Sequence, residues 1–429
     1  MYTLFNEFGR AWVNNWQLYS YFQILDQPLF RVFAAAVLAF AIVLVMGKAV
    51  IAWLRRKRIG DTGVFEPGKK NTPTMGGILI VGAVLAATAV FANVLNFYVM
   101  VGMIVLVWMA AIGAADDWLK LTALTRAAKA AEAAMAESAI GASGGASAVG
   151  GDGAAQSGQA GQTGLIPPPK PSYITRQGLY SWEKLVFQLG LAVLVAFFIY
   201  NHGDTTPGDD MAHVLNLPFQ KTYATTTGEV ATGLLFMPRW IFVIIAVMMI
   251  AGMSNAVNIT DGMDGLASGT AGAVALGLLV LVVIAGTQGY AQYLRVPFVD
   301  GSDELAIMAG AMAGACLGFL WWNCWPASVF MGDTGSLALG GMIGYIAVVV
   351  RQEVLVLFMC GVFLIEIGSV VMQVAFYKAT KGRRIFKCAP FHHHLHDISV
   401  GWPEQQIVAR AWIIAVLLVV LALASIKIR

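Results

Sequence analysis

Apolar positions along this chain are gathered into long uninterrupted runs; they neither alternate nor recur on one face of a helix. Ten such runs stand out: Leu29–Leu54, Met75–Val94, Phe97–Ala115, Leu185–Tyr200, Trp240–Ala256, Leu266–Gly286, Leu305–Trp322, Ser336–Val350, Val354–Tyr377 and Ile407–Ile426. Each approaches the ~20 residues that carry an α-helix across the hydrocarbon core of a bilayer. A spanning segment has to satisfy its backbone internally, so the pattern predicts an all-α polytopic membrane protein of about ten transmembrane helices. The first 27 residues hold Glu7, Arg10 and Asp26 among Trp, Tyr and Phe. That is unlike a cleaved signal peptide and predicts a retained interfacial segment.

Composition agrees. Of the 429 residues 58% are apolar and 12% charged, with net charge +3, whereas soluble domains carry about 25% charged residues. Too few charges exist to cover a water-facing surface. High apolar content excludes a disordered chain, the small net charge argues against a nucleic-acid partner, and Cys316, Cys324, Cys360 and Cys388 form neither a disulfide framework nor a CxxC pair.

Ten spans alternate sides, which lets the basic residues orient the bundle. Seventeen of them fall on one side: Arg55 to Arg58, Lys69 and Lys70 after span one; Lys120, Arg126, Lys129, Lys170 and Arg176 between spans three and four; Lys378 to Lys387 and Arg410 around the loop before span ten. Eight fall on the other side. The first side is expected to be cytoplasmic and both termini periplasmic. The expected organisation is an interfacial segment over 1–27, spans one to three over 28–120, a cytoplasmic linker over 121–175, and spans four to ten with their catalytic loops over 176–429. From Ala127 to Gly164 the linker is almost wholly Ala, Gly, Ser and Gln, followed by Pro167-Pro168-Pro169; it cannot bury a core, and only its Ala-rich first third has helical character. Gly310, Gly314 and Gly318 read as a close helix-packing stripe.

The polar clusters lie at loops and helix ends on the cytoplasmic side. A transporter would keep ionisable groups near the midplane, whereas here Lys48 is the main charge inside a span. Asp116 and Asp117 are expected to end span three, where they oppose the helix dipole and each other; they read either as a solvated helix end or as a general base or Mg²⁺ site. Asn255, Asn258, Asp261 and Asp264 recur at three-residue spacing between spans five and six, more polar groups than an N-cap at Asp264 needs, and suggest a polar-ligand or metal site. Gly332-Asp333-Thr334-Gly335-Ser336 opens span eight with glycine-flanked N–H groups suited to phosphate. His392-His393-His394, after Arg383, Arg384 and Lys387, reads as a cationic phosphate-contacting loop, since successive side chains cannot all face one zinc ion. Lys69, Lys70, Thr72 and Thr74 precede span two. Anion-binding groups and acidic groups on one membrane face form the equipment of phosphoryl transfer.

These segments, Lys69 to Gly77, Asp116-Asp117, Asn255 to Gly265, Phe330 to Ser336, and Pro390 to His394 followed by Gly401-Trp402-Pro403-Glu404, resemble in order the signature segments of the MraY family of phospho-N-acetylmuramoyl-pentapeptide transferases. That family lies within the polyprenyl-phosphate sugar-phosphate transferases. The resemblance implies a ten-helix bundle, usually a homodimer, in the bacterial inner membrane with its active site facing the cytoplasm. It implies Mg²⁺-dependent transfer of phospho-MurNAc-pentapeptide from UDP-MurNAc-pentapeptide to undecaprenyl phosphate, giving lipid I and UMP. It implies catalytic roles for Asp116, Asp117, Asp333, His392, His393 and His394. Metal ligation would fall to Asp333, Asp117, Asn258 and Asp264. Substrate binding would fall to Lys69, Thr74, Lys184, Asn255, Asn258, Asp261, Asp264, Gly332 and Ser336. The family's Lys-Gly-Leu…Lys…Gln segment is present as Gln177-Gly178-Leu179…Lys184…Gln188, with Gln177 in place of its first lysine. A sister transferase using UDP-N-acetylhexosamine, and a secondary transporter, are the alternatives.

Overall fold

The computed structural model describes residues 23–57, 72–144, 178–205, 210–217, 219–223, 230, 231 and 233–427, together with Tyr2. Lys69, the interfacial 1–27 segment apart from Tyr2 and 23–27, and the Pro-rich part of the linker lie outside the described residues. The helices are α1 (Pro28–Arg56), α2 (Gly77–Phe91), α3 (Phe97–Gly144), α4 (Ser181–Thr205), α5 (Arg239–Thr260), α6 (Leu266–Gly286), α7 (Gln288–Leu294), α8 (Leu305–Asn323), α9 (Gly332–Val349), α10 (Glu353–Met359), α11 (Gly361–Ala379), α12 (Phe391–His396) and α13 (Glu404–Ile426). Among the described residues there is no strand, only two isolated bridges in the 214–236 connection.

Nine of these helices are long and apolar enough to cross a membrane. The second expected span is shorter, a 15-residue helix starting at Gly77, because Pro73 to Gly76 are drawn into the site described below. The ninth is broken at Cys360 into α10 and α11. The third does not end at the Asp pair: α3 runs on through Gly144. The argument that Asp116 and Asp117 oppose a helix C-terminus therefore fails.

The chain divides into two units, Met1–Asp117 with Tyr180–Arg429, and Trp118–Leu179. In the first, α9 is the central helix and is buried from Thr334 to Val349. It packs on α5, while α8 packs on α1 and α6. The glycine stripe of α8 behaves as expected, since Gly310, Gly314 and Gly318 meet Val32, Ala36 and Phe40 of α1 at backbone distance. Large apolar side chains cover the outside of the bundle, Val45 at 76% exposure and Trp240 at 77% among them. Only hydrocarbon is a favourable medium for such a surface, and the chain is a multi-pass membrane protein.

Candidate active site

The site starts from two Gly-containing segments laid side by side. Phe330 N–H donates to the Pro73 carbonyl, Gly76 N–H to the Phe330 carbonyl and Gly77 N–H to that of Met331, each at 2.8 Å. This pairing brings the start of α2 against the start of α9. The far part of the α3 span then approaches α9 at Gly113, where any Cβ would overlap the Asp333 carbonyl. Gly332 has φ +72°, and a Cβ there would crowd Asp117. Only glycine meets both demands at low cost.

Asp117 is thereby set at the N-terminus of α9. Its carboxylate accepts the Asp333 N–H at 3.2 Å, the Thr334 N–H at 3.0 Å and the Thr334 hydroxyl at 2.7 Å. A carboxylate there satisfies N–H groups that the helix itself leaves without partners and sits at the positive end of the dipole. The Gly332 N–H bonds to Asp261. Of the backbone donors expected to cradle phosphate at Gly332 to Ser336, those of Gly332, Asp333 and Thr334 are thus held by the protein's own carboxylates.

Lys184, from the first turn of α4, completes the cluster. Its ammonium lies 3.0 Å from Asp116 and 2.7 Å from Asp333. Asp116 is fully buried and Asp117 nearly so. Asp261, just past α5, is half-buried at the edge of this group. Burial first, then the charges of Asp333, Asp117 and Asp264, push its carboxyl up to about 8 against the opposing pull of the Gly332 N–H. A proton or a cation at this point relieves the repulsion.

The polar series from Asn255 to Asp264 serves several positions. Asn255 donates to Gln188 at 2.7 Å, and Gln188 is itself fully buried. Asn258 accepts from the Ser336 hydroxyl at 3.2 Å, which ties α5 to α9. Asp264 does not cap α6; Gly265 holds that place, with φ +82°. Instead Asp264 accepts the Ala327 N–H at 2.9 Å and gives its own N–H to Glu404 at 2.8 Å. Asn323 holds the same turn through Gly265 N–H, the Ser268 hydroxyl and the Val329 carbonyl. Thr74 is half-buried in the strap next to Gly332.

The three histidines separate. His392 is buried, bonded to Glu366 and pressed on Gly262. His393 lies beside it, with ring centres 4.3 Å apart. His394 turns toward Phe386 and Phe391 and accepts the Lys387 N–H. The run is not one uniform cationic surface.

The structure thus brings Asp116, Asp117, Lys184, Asp261 and Asp333 together, with Asn258 and Ser336 adjoining through α9 and His392 adjoining through Gly262. Sequence reasoning missed Gln188, Asn323 and Glu366 as positioning groups. Glu366 carries a signal, a lone carboxylate inside an apolar run, whereas Lys48, the charge inside a span that the sequence reading singles out, is exposed on α1.

Among the described residues no three His, Cys, Asp or Glu side chains converge tightly enough to hold an ion unaided. Mg²⁺ rarely uses such a cage; one or two carboxylates plus substrate phosphates and water suffice. Asp333, beside Asp117, fits that mode. Asp264 and Asn258 are engaged elsewhere by the bonds given above.

Residues 176–351 match the model of glycosyl transferase family 4, and residues 69–81 match phospho-N-acetylmuramoyl-pentapeptide-transferase signature 1. The chain is 36% identical over 414 residues to the phospho-N-acetylmuramoyl-pentapeptide-transferase of Desulfotalea psychrophila, covering 95% of this chain and 96% of that one. It is 36% identical over 405 residues to the protein of the same name from Thermodesulfovibrio yellowstonii, covering 93% and 94%. A third such transferase, from Syntrophus aciditrophicus, is 35% identical and covers 96% of this chain and 97% of its own. With likeness of this degree running over nearly the whole of each chain, this chain belongs to the phospho-N-acetylmuramoyl-pentapeptide transferase family.

Proposed function

We propose that the chain moves phospho-MurNAc-pentapeptide from its UDP-linked donor to undecaprenyl phosphate, giving lipid I and UMP at the cytoplasmic face of a bacterial inner membrane. Both termini then face the periplasm, and 121–175 forms a cytoplasmic connection between the two sets of spans. The observation that carries this reading is the gathering of four carboxylates at one end of an apolar bundle, Asp116 and Asp333 on Lys184 and Asp117 and Asp261 beside Asp333, with a single ammonium among them. Such a cluster suits a substrate that brings both a divalent cation and phosphates.

Roles follow from the bonds. Asp117 has both oxygens engaged at the start of α9, which leaves Asp116 as the base for the acceptor phosphate. Lys184 faces both Asp116 and Asp333 and can transfer part of its charge pairing to phosphate oxygens as they arrive. Asp333, with Asp117 behind it, would hold Mg²⁺, which supplies neutralisation of charge on the transferring diphosphate. Asn255, Asn258, Asp261, Asp264, Thr74, Gly332 and Ser336 line or brace the donor side, with His392 and His393 beside them; Lys69 is assigned to the donor diphosphate by its sequence motif alone. A lipid-phosphate oxygen attacks the sugar-bearing phosphorus and UMP leaves in the same step. Two copies of the chain form the working unit.

Purified protein supplied with undecaprenyl phosphate, Mg²⁺ and either UDP-MurNAc-pentapeptide or a UDP-N-acetylhexosamine is expected to release UMP from the first donor at the higher kcat/KM. Preference for the second donor, or a covalent sugar-phosphate enzyme trapped without lipid, overturns the reading or its single-step form respectively.

A further inference from the structure

Glu366 is the one acidic residue of α11, and it is 94% withdrawn from solvent. Removing a carboxylate from water costs several kcal/mol unless it is well partnered, so its partner is informative. One oxygen, Oε2, accepts two bonds from the same residue: the His392 backbone N–H at 3.2 Å and the His392 ring at Nδ1, 3.0 Å. The backbone bond alone would pin α12 to α11. The ring bond does something further, because a carboxylate only accepts and Nδ1 must then carry the proton. That leaves Nε2 as the nitrogen that looks away. It is buried, has no hydrogen-bond partner, and abuts Gly262 so closely that a Cβ there would overlap it. Gly262 lies between Asp261 and Asp264. Glu366 also borders a cleft of about 260 Å³ whose walls are mostly apolar, Val362, Ile365, Phe391 and Leu395 among them, with Arg410 held over the Trp402 ring as the one cation of its lining.

We propose that Glu366 is a positioning residue that fixes the proton of His392 on Nδ1 and thereby holds the ring, with Nε2 as its acceptor nitrogen, against Gly262, which sets the Asp261–Asp264 turn that meets the donor nucleotide sugar. The assignment rests on the transferase reading above for its substrate and on the Glu366–His392 geometry for its mechanism. A carboxylate behind a functional imidazole sets both its tautomer and its angle, and its removal costs about 10- to 100-fold.

Four variants test it: Glu366→Ala, Glu366→Gln, His392→Ala and the Glu366→Ala/His392→Ala pair. Glu366→Ala is expected to lower kcat/KM for UDP-MurNAc-pentapeptide by about 10- to 100-fold, and the pair to be no worse than His392→Ala alone. Glu366→Gln, whose amide oxygen can accept both bonds, is expected to recover most of the loss. In histidine ¹⁵N spectra, the wild type and Glu366→Gln should show His392 protonated at Nδ1, and Glu366→Ala a mixture of tautomers. Losses that add in the pair, or an unchanged tautomer in Glu366→Ala, overturn the proposal. If the wild type releases no UMP, the transferase reading falls, and the spectra alone decide the role of Glu366.

Discussion

The two ends of the bundle handle buried charge in opposite ways. At the end where α9 finishes, each of the two buried arginines has its own anion: Arg351 lies 2.7 Å from Glu353 and Arg31 2.7 Å from Glu304, all four side chains largely or wholly buried. Arg351 also bonds the Val214 and Val348 carbonyls and rests on the Phe242 ring. At the end where α9 begins, Lys184 is shared between Asp116 and Asp333, with Asp117 and Asp261 alongside. Balanced pairs hold a fold together. An acid-rich cluster is arranged for something that arrives, and the contrast separates scaffold from chemistry without recourse to the relatives.

The largest test of that contrast is a crossed pair of substitutions. Asp333→Asn is expected to lower kcat by ~10²–10³-fold, the scale of losing one preorganised electrostatic partner, with the thermal midpoint in detergent little changed. Glu353→Ala should do the reverse: it strands a buried arginine and costs about 3–5 kcal/mol of stability, while turnover per folded molecule is retained. Activity assays and melting curves on both variants read the result. If Glu353→Ala abolishes turnover in folded protein, the two ends are not functionally distinct.

A smaller effect separates the ends by ligand. Mg²⁺ at 100 times its Kd should stabilise the wild type by about 2.7 kcal/mol, and Asp333→Asn by much less. The increment should depend on pH. With its pKa pushed up to about 8, Asp261 keeps its proton in the folded, metal-free chain between pH ~4 and 8 while the unfolded chain loses it. The folded state then holds more protons, so metal-free stability declines as pH rises through that window. Mg²⁺ competes with the retained proton, so its stabilising increment should grow from pH 6 to pH 8. Melting curves with Mg²⁺ and with chelator at both pH values measure it; an increment that shrinks toward pH 8 would contradict the acid-rich reading.

Much of this was legible along the chain, for physical reasons. Bilayer thickness imposes a length on spanning helices, so the runs could be marked directly, and the acids that matter stand out where charge is scarce. What could not be read was which group answers which. Asp117 and Thr334 are 217 positions apart, and no spacing rule predicts that one carboxylate closes the helix carrying the other. The helical character of the Ala-rich first third of the linker was legible from its propensity, but not that it continues the third span through the Asp pair as one helix. Gln188 and Asn323 are single amides whose importance lies wholly in their partners. Glu366 was visible as an anomaly, but only its partner gave it meaning.

One further consequence follows from the bonds of Asp117 to the first residues of α9. For a genetic experiment, this residue gives an ambiguous answer: a null allele at 117 removes a carboxylate from the acidic cluster and also loosens the helix on which Asp333 rides. A suppressor elsewhere can restore the second function without touching the first. Inheritance of activity through a change at 117 would therefore need two repairs in one lineage.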